Sequence, residues 1–343
     1  MVNLRIEVKI VNRIQTKITL QYNHFATFEP MQAPPLLITV IGPTAIGKTA
    51  LAIALAKHFG SEILSCDSRQ FYKEMRIGTA VPSPEELAAV PHHCIQHISI
   101  QDTYNVGNFE TEALQLLNQL FQKNPIQIMV GGSGLYVDAV LRGFDEFPTL
   151  EGTIRETINQ RFEAEGLAYL QETLQSLDPH YFSKLTAENP QTLQNPQRMK
   201  RFVEVCLGTG KPYSSFIGKK ENARPFQSIC IGLEAERHEL YDRINRRVDQ
   251  MMTDGLLEEV RALHPQRHLN ALQTVGYREL FAYLEGDVDL QTAIENIKMN
   301  TRRFAKRQMT WFKRDPDTLW FPYTTPWEEI VKSLPFSTKQ RNL

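Results

Sequence analysis

Eight consecutive residues near the start of the chain leave few folds open. They match G-x-x-x-x-G-K-[ST] at every fixed position and comprise Gly42, Pro43, Thr44, Ala45, Ile46, Gly47, Lys48 and Thr49. Branched apolar residues, Leu36 to Ile41, precede this phosphate loop, and helical apolar spacing from Thr49 to Phe59 follows it. A loop between a strand and a helix surrounds an anion with backbone N–H groups and a helix N-terminus. Lys48 adds a positive charge and the Thr49 hydroxyl is a ligand for Mg²⁺, so the loop predicts a polyphosphate site without specifying ATP.

Strand and helix signals alternate beyond the loop. Ser61–Cys66 and Ile126–Val130 have the apolar composition of buried strands, whereas Phe109–Phe121 and Leu135–Leu141 have the apolar spacing of helices. Strand signal returns at Ser228–Leu233. This alternation predicts an α/β fold, a P-loop NTPase-like doubly wound parallel sheet.

The strand signals disappear between residues 145 and 196, where helical spacing and an acidic balance replace them. The first 35 residues contain only a weak strand-like run, Leu4–Ile10. We expect this part to be a dispensable extension or the result of a start codon placed too early. The expected organisation is an extension at 1–35, a core at 36–144 and 224–330, a mainly helical insertion at 145–223 and a tail at 331–343.

Composition gives no global sign of a nucleic-acid partner, because the net charge is −1. A surface for such a partner must therefore be local. The four cysteines are far apart and form no CxxC pair, which argues against a disulfide framework or a zinc ribbon and favours a reducing, cytoplasmic location. No run of about 18 apolar residues occurs, so we expect no membrane-spanning segment.

Two polar residues lie at the ends of the predicted strands. Asp67 follows the second strand and Ser133 follows the third, and ligands of open α/β sheets bind beyond such strand ends. We expect both side chains to face the bound phosphate, although Asp67 could instead be a helix N-cap and Ser133 a turn residue. The third strand ends in glycines, where an ordinary P-loop ATPase carries an acidic residue. Asp67 could take over that metal-binding role, which leaves a small-molecule kinase open.

Arg243 and Arg247 are four residues apart on a predicted helix with an apolar stripe that includes Leu240, Ile244 and Val248. This spacing places both arginines on one face, from which they could bind a diphosphate as its negative charge grows on departure. A solvent-exposed face without a ligand is the alternative.

The strongest local charge signal is the segment from Lys298 to Arg314, which contains no acidic residue. Apolar residues that include Ile297 and Phe304 mark one face of this predicted helix. Its opposite face would then be a cationic surface for a phosphate backbone, and a merely solvated face is the alternative. The candidate contacts on this helix are Arg302, Arg303, Lys306 and Arg307.

Two further segments combine basic and hydrogen-bonding residues. Gln197–Arg201 directly follows the acidic region and suits base edges and phosphates. Gln273–Arg278 places Tyr277 and Arg278 beside a glycine, a candidate stacking and phosphate pair. Taken alone, the second segment is equally typical of an ordinary loop.

The order and spacing of these motifs resemble the bacterial tRNA dimethylallyltransferases, also called isopentenyltransferases. The resemblance extends from about Leu36 to Pro322. It rests on the segments GPTAIGKT, SCDSRQFY, MRIGTA, PHHCI, GGSGLY, NPQRMKR, TVGYREL and TRRFAKRQMTWFKR. Each segment is weak alone, but few families with a phosphate loop share more than the first.

The resemblance implies transfer of a dimethylallyl group from dimethylallyl diphosphate to N6 of the adenosine just 3′ of the anticodon in tRNA. The phosphate loop would bind the isoprenoid diphosphate with Mg²⁺, Asp67 would be the general base, and Ser133 would replace a usual threonine. Lys48 and Arg247 complete the catalytic candidates. The implied tRNA contacts are Arg155 and three stretches: Asp67, Ser68, Arg69 and Gln70; Gln197, Arg198, Met199, Lys200 and Arg201; and Gln273, Thr274, Val275, Gly276, Tyr277 and Arg278.

Three other functions stay open at this point: a transferase acting on free AMP or ADP, a small-molecule kinase, and a non-catalytic RNA-binding module. The separate basic stretches favour a macromolecular acceptor, which a kinase does not need. The intact phosphate loop and Asp67 disfavour a protein that only binds RNA. Because one chain supplies all the candidate residues, we expect a monomer.

Overall fold

The computed structural model describes residues 34–335, except residues 144, 146, 149, 151 and 219–222. The strand-like run Leu4–Ile10, nearly all of the expected extension and most of the expected tail lie outside this range. Within the described part, no helix combines the length and apolarity that crossing a membrane requires.

A parallel sheet forms the centre of the fold, in the strand order β3-β2-β4-β1-β5-β6. Its strands are β1 (Leu36–Ile41), β2 (Ile63–Ser65), β3 (His92–His93), β4 (Ile126–Val130), β5 (Gln227–Glu234) and β6 (Leu319–Pro322). The α/β fold with a doubly wound parallel sheet is thereby confirmed. The central strand β1 is buried along its whole length, as its uninterrupted apolar sequence predicts.

Helices cover both faces of this sheet. Leu36, Ile38 and Val40 pack with the helix Lys48–Phe59 in one hydrophobic cluster, whereas Leu37 and Ile41 pack in a second cluster on the opposite face. Alternate residues of one strand thus serve two cores, as the period of a strand requires.

The described helices are α1 (Lys48–Phe59), α2 (Pro84–Ala89), α3 (Val106–Lys123), α4 (Gly134–Arg142), α5 (Gly152–Leu177), α6 (Pro179–Glu188), α7 (Pro190–Leu193), α8 (Pro196–Thr209), α9 (Arg237–Thr253), α10 (Leu256–Leu263), α11 (Tyr277–Leu284), α12 (Leu290–Phe312) and α13 (Trp327–Ser333).

Helices α5 to α8 have a hydrophobic core of their own, which includes Ile158, Leu170, Leu174 and Val203. The long helix α5 changes direction at Gly166, whose φ of 71° and ψ of −157° are not helical. The helical content expected between the two core segments is present, while the boundaries at 145 and 223 stay a prediction.

Two edge strands were not anticipated. His92–His93 pairs with β2 in register Ile63↔His92 as the terminal strand β3. At the other edge, β6 pairs with β5. The second predicted strand, Ser61–Cys66, is wrong in length, because only Ile63–Ser65 has strand geometry.

Candidate active site

The phosphate loop lies at the carboxyl end of β1 and leads into α1. Gly42 has a φ of 143°, and a Cβ on it would lie 2.7 Å from the Leu233 carbonyl oxygen, so only glycine fits there. Gly47 is the left-handed N-cap of α1. Lys48 directs its Nζ back to the Pro43 carbonyl oxygen at 2.8 Å, which places its charge inside the loop.

Gln308 of α12 joins this loop to the glycine-rich segment after β4. Its Oε1 accepts from the Thr44 N–H at 2.8 Å, and its Nε2 donates to the Gly132 carbonyl oxygen at 2.8 Å. A Cβ on Gly132 would lie 2.3 Å from that Nε2, so the missing side chain makes room for the amide. Sequence reasoning missed Gln308, although its position between the buried residues Ala305 and Phe312 of one helix face was a usable signal.

Asp67 and Ser133 lie in adjoining loops at the ends of β2 and β4, as predicted. The Asp67 carboxylate accepts from the Arg69 N–H at 3.1 Å and does not cap a helix. The Ser133 hydroxyl accepts from the Ser68 N–H at 3.0 Å, and the two serine hydroxyls share a hydrogen bond of 3.0 Å. The two strand ends are therefore linked next to the carboxylate.

The charges of Asp67 and Lys48 influence each other. Burial raises the pKa of the Asp67 carboxyl, while the Arg69 N–H and the Lys48 charge oppose that rise. Burial lowers the pKa of Lys48 to about 8, an effect that Asp67 opposes and the nearby Arg247 reinforces. A carboxylate with a raised pKa is a stronger base once it is ionised.

Arg243 and Arg247 of α9 both reach the phosphate loop, as their spacing predicts. Arg243 donates from Nε to the Ala45 carbonyl oxygen at 2.8 Å, and its guanidinium lies 4.7 Å from the centre of the Tyr323 ring. Arg247 approaches the Thr44 hydroxyl at 3.5 Å. Two positive charges therefore border the loop.

A cavity of about 500 Å³ opens beside these groups. The sequence-predicted residues that line it are Thr44, Asp67, Ser68, Arg69, Ser133, Arg247, Gln273, Thr274, Val275, Gly276, Arg278 and Arg307. Its apolar lining consists of Leu135, Ile244, Val248, Met251, Leu256, Ile297, Phe304 and Trp311, together with the ring of Tyr136. One cavity thus brings together a phosphate loop, a carboxylate and a largely apolar wall.

The positions of two aromatic side chains differ from those that the sequence predicts. Tyr277 was expected to stack on a base, but its ring is completely buried and its hydroxyl donates to Glu259 at 2.6 Å. The stacking role is therefore wrong. Phe304 was assigned to the buried face of its helix, yet 37% of it is exposed and it lines the cavity. The helix turns this ring toward the cavity, while Ala305 next to it packs in the core.

The cationic face of α12 is smaller than its sequence indicates. Arg303, Lys306 and Arg307 are exposed. Lys298 instead pairs with Asp249 at 2.7 Å, and Arg302 donates to Asn245 at 2.6 Å. Lys313 pairs with Glu234 at 2.6 Å.

The stretch Gln197–Arg201 begins α8 in the helical unit and does not line the cavity. Met199 was included among the candidate contacts, but its side chain is completely buried in the core of that unit, which is a correction. Glu204 accepts from both Arg155 and Arg201, at 3.1 and 3.0 Å. The structure thus forms a second basic group, separate from the cavity.

Thr49 is the second residue of α1 and lies in its first turn. A hydroxyl here, next to the phosphate loop, is a hard oxygen donor of the kind that Mg²⁺ prefers. The residues present therefore fit this ion.

The parallel sheet, the glycine-rich loop at its strand ends and the largely apolar cavity beside that loop are the architecture of an α/β enzyme. Residues 70–315 match the family model described as IPP transferase. Because this match covers more than half of the chain, the chain belongs to the IPP transferase family.

Named relatives agree with this assignment. A Flavobacterium psychrophilum protein named tRNA dimethylallyltransferase is 60% identical over 306 residues, which cover 89% of this chain and 99% of the relative. A Bacteroides thetaiotaomicron protein named tRNA dimethylallyltransferase 1 is 47% identical over 287 residues, covering 84% and 91%.

Solved structures have the same fold. The full-length tRNA isopentenylpyrophosphate transferase of Bacillus halodurans matches with a TM-score of 0.63 at 34% identity, covering 87% of this chain and 93% of that one. A eukaryotic dimethylallyltransferase acting on tRNA matches with a TM-score of 0.71 at 25% identity, covering 90% and 77%.

Proposed function

We propose that this chain transfers the dimethylallyl group of dimethylallyl diphosphate to N6 of the adenosine 3′-adjacent to the anticodon in tRNA. Relatives 55–60% identical to it are named tRNA dimethylallyltransferase. The observation that supports the chemistry most directly is the single cavity that Asp67 and the phosphate-loop residue Thr44 both line.

The donor diphosphate would lie on the phosphate loop. Its backbone N–H groups and the N-terminus of α1 attract the anion, and Lys48, Arg243 and Arg247 add positive charge. Thr49 would bind Mg²⁺, which supplies Lewis-acid stabilisation of the diphosphate as a leaving group. The same groups would also stabilise a transferred phosphoryl group, so the phosphate loop alone does not distinguish this reaction from that of a kinase.

The dimethylallyl chain would lie along the apolar wall. Val248 and Met251 of α9 and Phe304 and Trp311 of α12 border the same cavity as the phosphate loop. The Trp311 indole donates to Asp138 at 2.9 Å, which fixes the ring in place. An apolar surface of this kind excludes water from the allylic carbon as positive charge develops there.

Asp67 would act as the general base. The exocyclic amino group of adenine is a weak nucleophile, because its lone pair is delocalised into the ring. As N6 bonds to the allylic carbon and the carbon–oxygen bond to the diphosphate breaks, Asp67 accepts the N6 proton. The positive charges at the phosphate loop stabilise the negative charge that collects on the diphosphate.

The acceptor base must leave its stack to reach this carboxylate, so the anticodon loop would be remodelled and the base flipped. Arg303, Lys306 and Arg307 offer charge to the RNA backbone near the cavity. Arg155 and the stretch Gln197–Arg201, with the exception of the Met199 side chain, offer a second contact region. We also propose a monomer, because one chain supplies every residue assigned to this site, and a cytoplasmic location, because the proposed substrate is a tRNA.

The test is to incubate the protein and Mg²⁺ with dimethylallyl diphosphate labelled in its alkyl chain, ATP labelled in its γ-phosphate, AMP and a tRNA transcript. Alkyl label should appear on the tRNA and, after digestion, in N6-(dimethylallyl)adenosine from the expected position. Alkyl label on AMP would favour a free-nucleotide transferase, and consumption of labelled ATP would favour a kinase. A tRNA in which guanosine replaces that adenosine is the matched control and should stay unlabelled.

A further inference from the structure

A carboxylate outside the predicted site organises one side of the cavity. Glu259 lies on α10, whose Leu256, Val260 and Leu263 are buried. The N–H groups of Arg76 and Ile77 donate to its Oε2 at 3.1 and 2.8 Å. Such bonds to an ionised acceptor are stronger than bonds between neutral groups.

The other oxygen of the same carboxylate serves two different segments. Its Oε1 accepts from the Gly78 N–H at 3.0 Å and from the Tyr277 hydroxyl at 2.6 Å. Burial and the neighbouring Glu259 charge raise the pKa of Tyr277, so the hydroxyl stays a donor. One side chain therefore connects the turn at residues 76–80 with the start of α11.

These two segments are also in direct contact. A Cβ on Gly78 would lie 2.6 Å from the Tyr277 ring, so only a glycine allows the turn to lie flat on that ring. On its other side the turn is bound by Gln70, whose Nε2 donates to the carbonyl oxygens of Thr79 and Ala80 at 3.2 and 2.8 Å. Gln70 belongs to the same short turn as Asp67, so the segment links Glu259 to the region of the proposed base.

Both segments end at the cavity. Gly78, Thr79 and Ala80 line it, and so do Gly276 and Arg278, on either side of Tyr277. We propose that Glu259 is a positioning residue for the acceptor nucleotide, because it holds these two lining segments together. This inference rests on the proposed function. It assigns to Glu259 no contact with either substrate.

Other side chains hold the part of the site that would bind the dimethylallyl donor. The phosphate loop is bound by Gln308 and Arg243, and Glu259 touches neither it nor these two side chains in any of its hydrogen bonds within the described residues. Loss of Glu259 should therefore weaken the use of tRNA while donor binding persists. A purely structural role would reduce both together.

The experiment compares Glu259→Gln, Tyr277→Phe and the control Glu258→Gln, which alters an exposed carboxylate on the same helix. Glu259→Gln keeps the shape of the side chain but presents an amide N–H₂ group to backbone N–H donors. Tyr277→Phe removes one of the four hydrogen bonds that Glu259 accepts. We measure KM for tRNA, KM for dimethylallyl diphosphate, the dissociation constant of inorganic pyrophosphate with Mg²⁺, and the unfolding midpoint.

Glu259→Gln should raise KM for tRNA about tenfold, the effect of one or two lost hydrogen bonds, with pyrophosphate binding unchanged. Tyr277→Phe should also raise KM for tRNA, but by a smaller factor. Glu258→Gln should have the same KM for tRNA as the wild type. An unchanged KM for tRNA, or an equal loss of tRNA and pyrophosphate binding, would overturn the inference. If Glu259→Gln does not fold, Tyr277→Phe decides by the same criteria. A wild-type protein that labels no tRNA would instead remove the proposed function.

Discussion

The side chain of Gln308 accepts a hydrogen bond from the backbone N–H of Thr44 at 2.8 Å, across 264 residues of sequence. Through its other amide atom it reaches Gly132 at the end of β4. The basic helix α12 is thereby attached to the phosphate loop. The proposed RNA contacts on α12 and the proposed diphosphate contacts on the loop therefore belong to one connected part of the protein.

Replacing Gln308 by Leu should destabilise the protein and weaken donor binding. Both amide bonds are lost, and each buried polar group left without a partner costs about 1–3 kcal/mol. Urea unfolding should report a lower free energy of unfolding, and calorimetry a weaker affinity for pyrophosphate. Gln308→Glu retains the acceptor for Thr44 but not the donor for Gly132, so it should be intermediate. Equal stability of Gln308→Leu and the wild type would show that the bonds contribute nothing.

Binding of pyrophosphate to the free enzyme should weaken as the pH rises through about 8, the lowered pKa of Lys48. A lysine is charged below its pKa, so the attraction is present at pH 7 and is lost above pH 8. The charged fraction of a group with this pKa is about tenfold smaller at pH 9 than at pH 7. If only the charged lysine binds pyrophosphate, the affinity should fall by the same factor. Lys48→Arg stays charged throughout. Calorimetry should show a shallower fall in affinity with pH for that variant than for the wild type, and an equally steep fall would assign the titration to another group.

The exposed charges of α12 should set part of the salt dependence of tRNA binding. Arg303→Ala with Lys306→Ala removes two candidate phosphate contacts, which should lower the slope of log affinity against log salt by about 1.5. Filter binding across a range of KCl concentrations measures the slope. Arg246→Ala is the control, since Arg246 is exposed but pairs with Asp242. An identical slope in the double variant and the wild type would place the RNA elsewhere.

Local sequence patterns predict most of the fold. The strand Leu36–Ile41, the glycine-rich loop and the following helix are determined by neighbouring residues, so sequence alone located them to within a residue. The edge strands β3 and β6 could not be found in this way, because two or four residues acquire strand geometry only by pairing with a neighbour.

The site was predicted less completely than the fold. Motif residues such as Asp67 and Ser133 could be placed, because strand ends meet at one edge of a parallel sheet. Gln308 and Glu259 bind partners that are far away in sequence. The only local signal for either residue is that it is a polar residue on an otherwise apolar helix face. The burial of Tyr277 depends on Glu259 and Gly78, which no local pattern reveals.

We propose that Asp67 accepts the N6 proton of a tRNA adenosine beside the bound diphosphate. The decisive experiment measures the single-turnover rate of dimethylallyl transfer by Asp67→Ala and Asp67→Asn, with tRNA affinity determined on the same preparations. Both variants should lose about 10²–10⁴-fold in rate, the range of a lost general base, while tRNA still binds. A near-wild-type rate in either variant, with intact tRNA binding, would remove Asp67 from the role of general base.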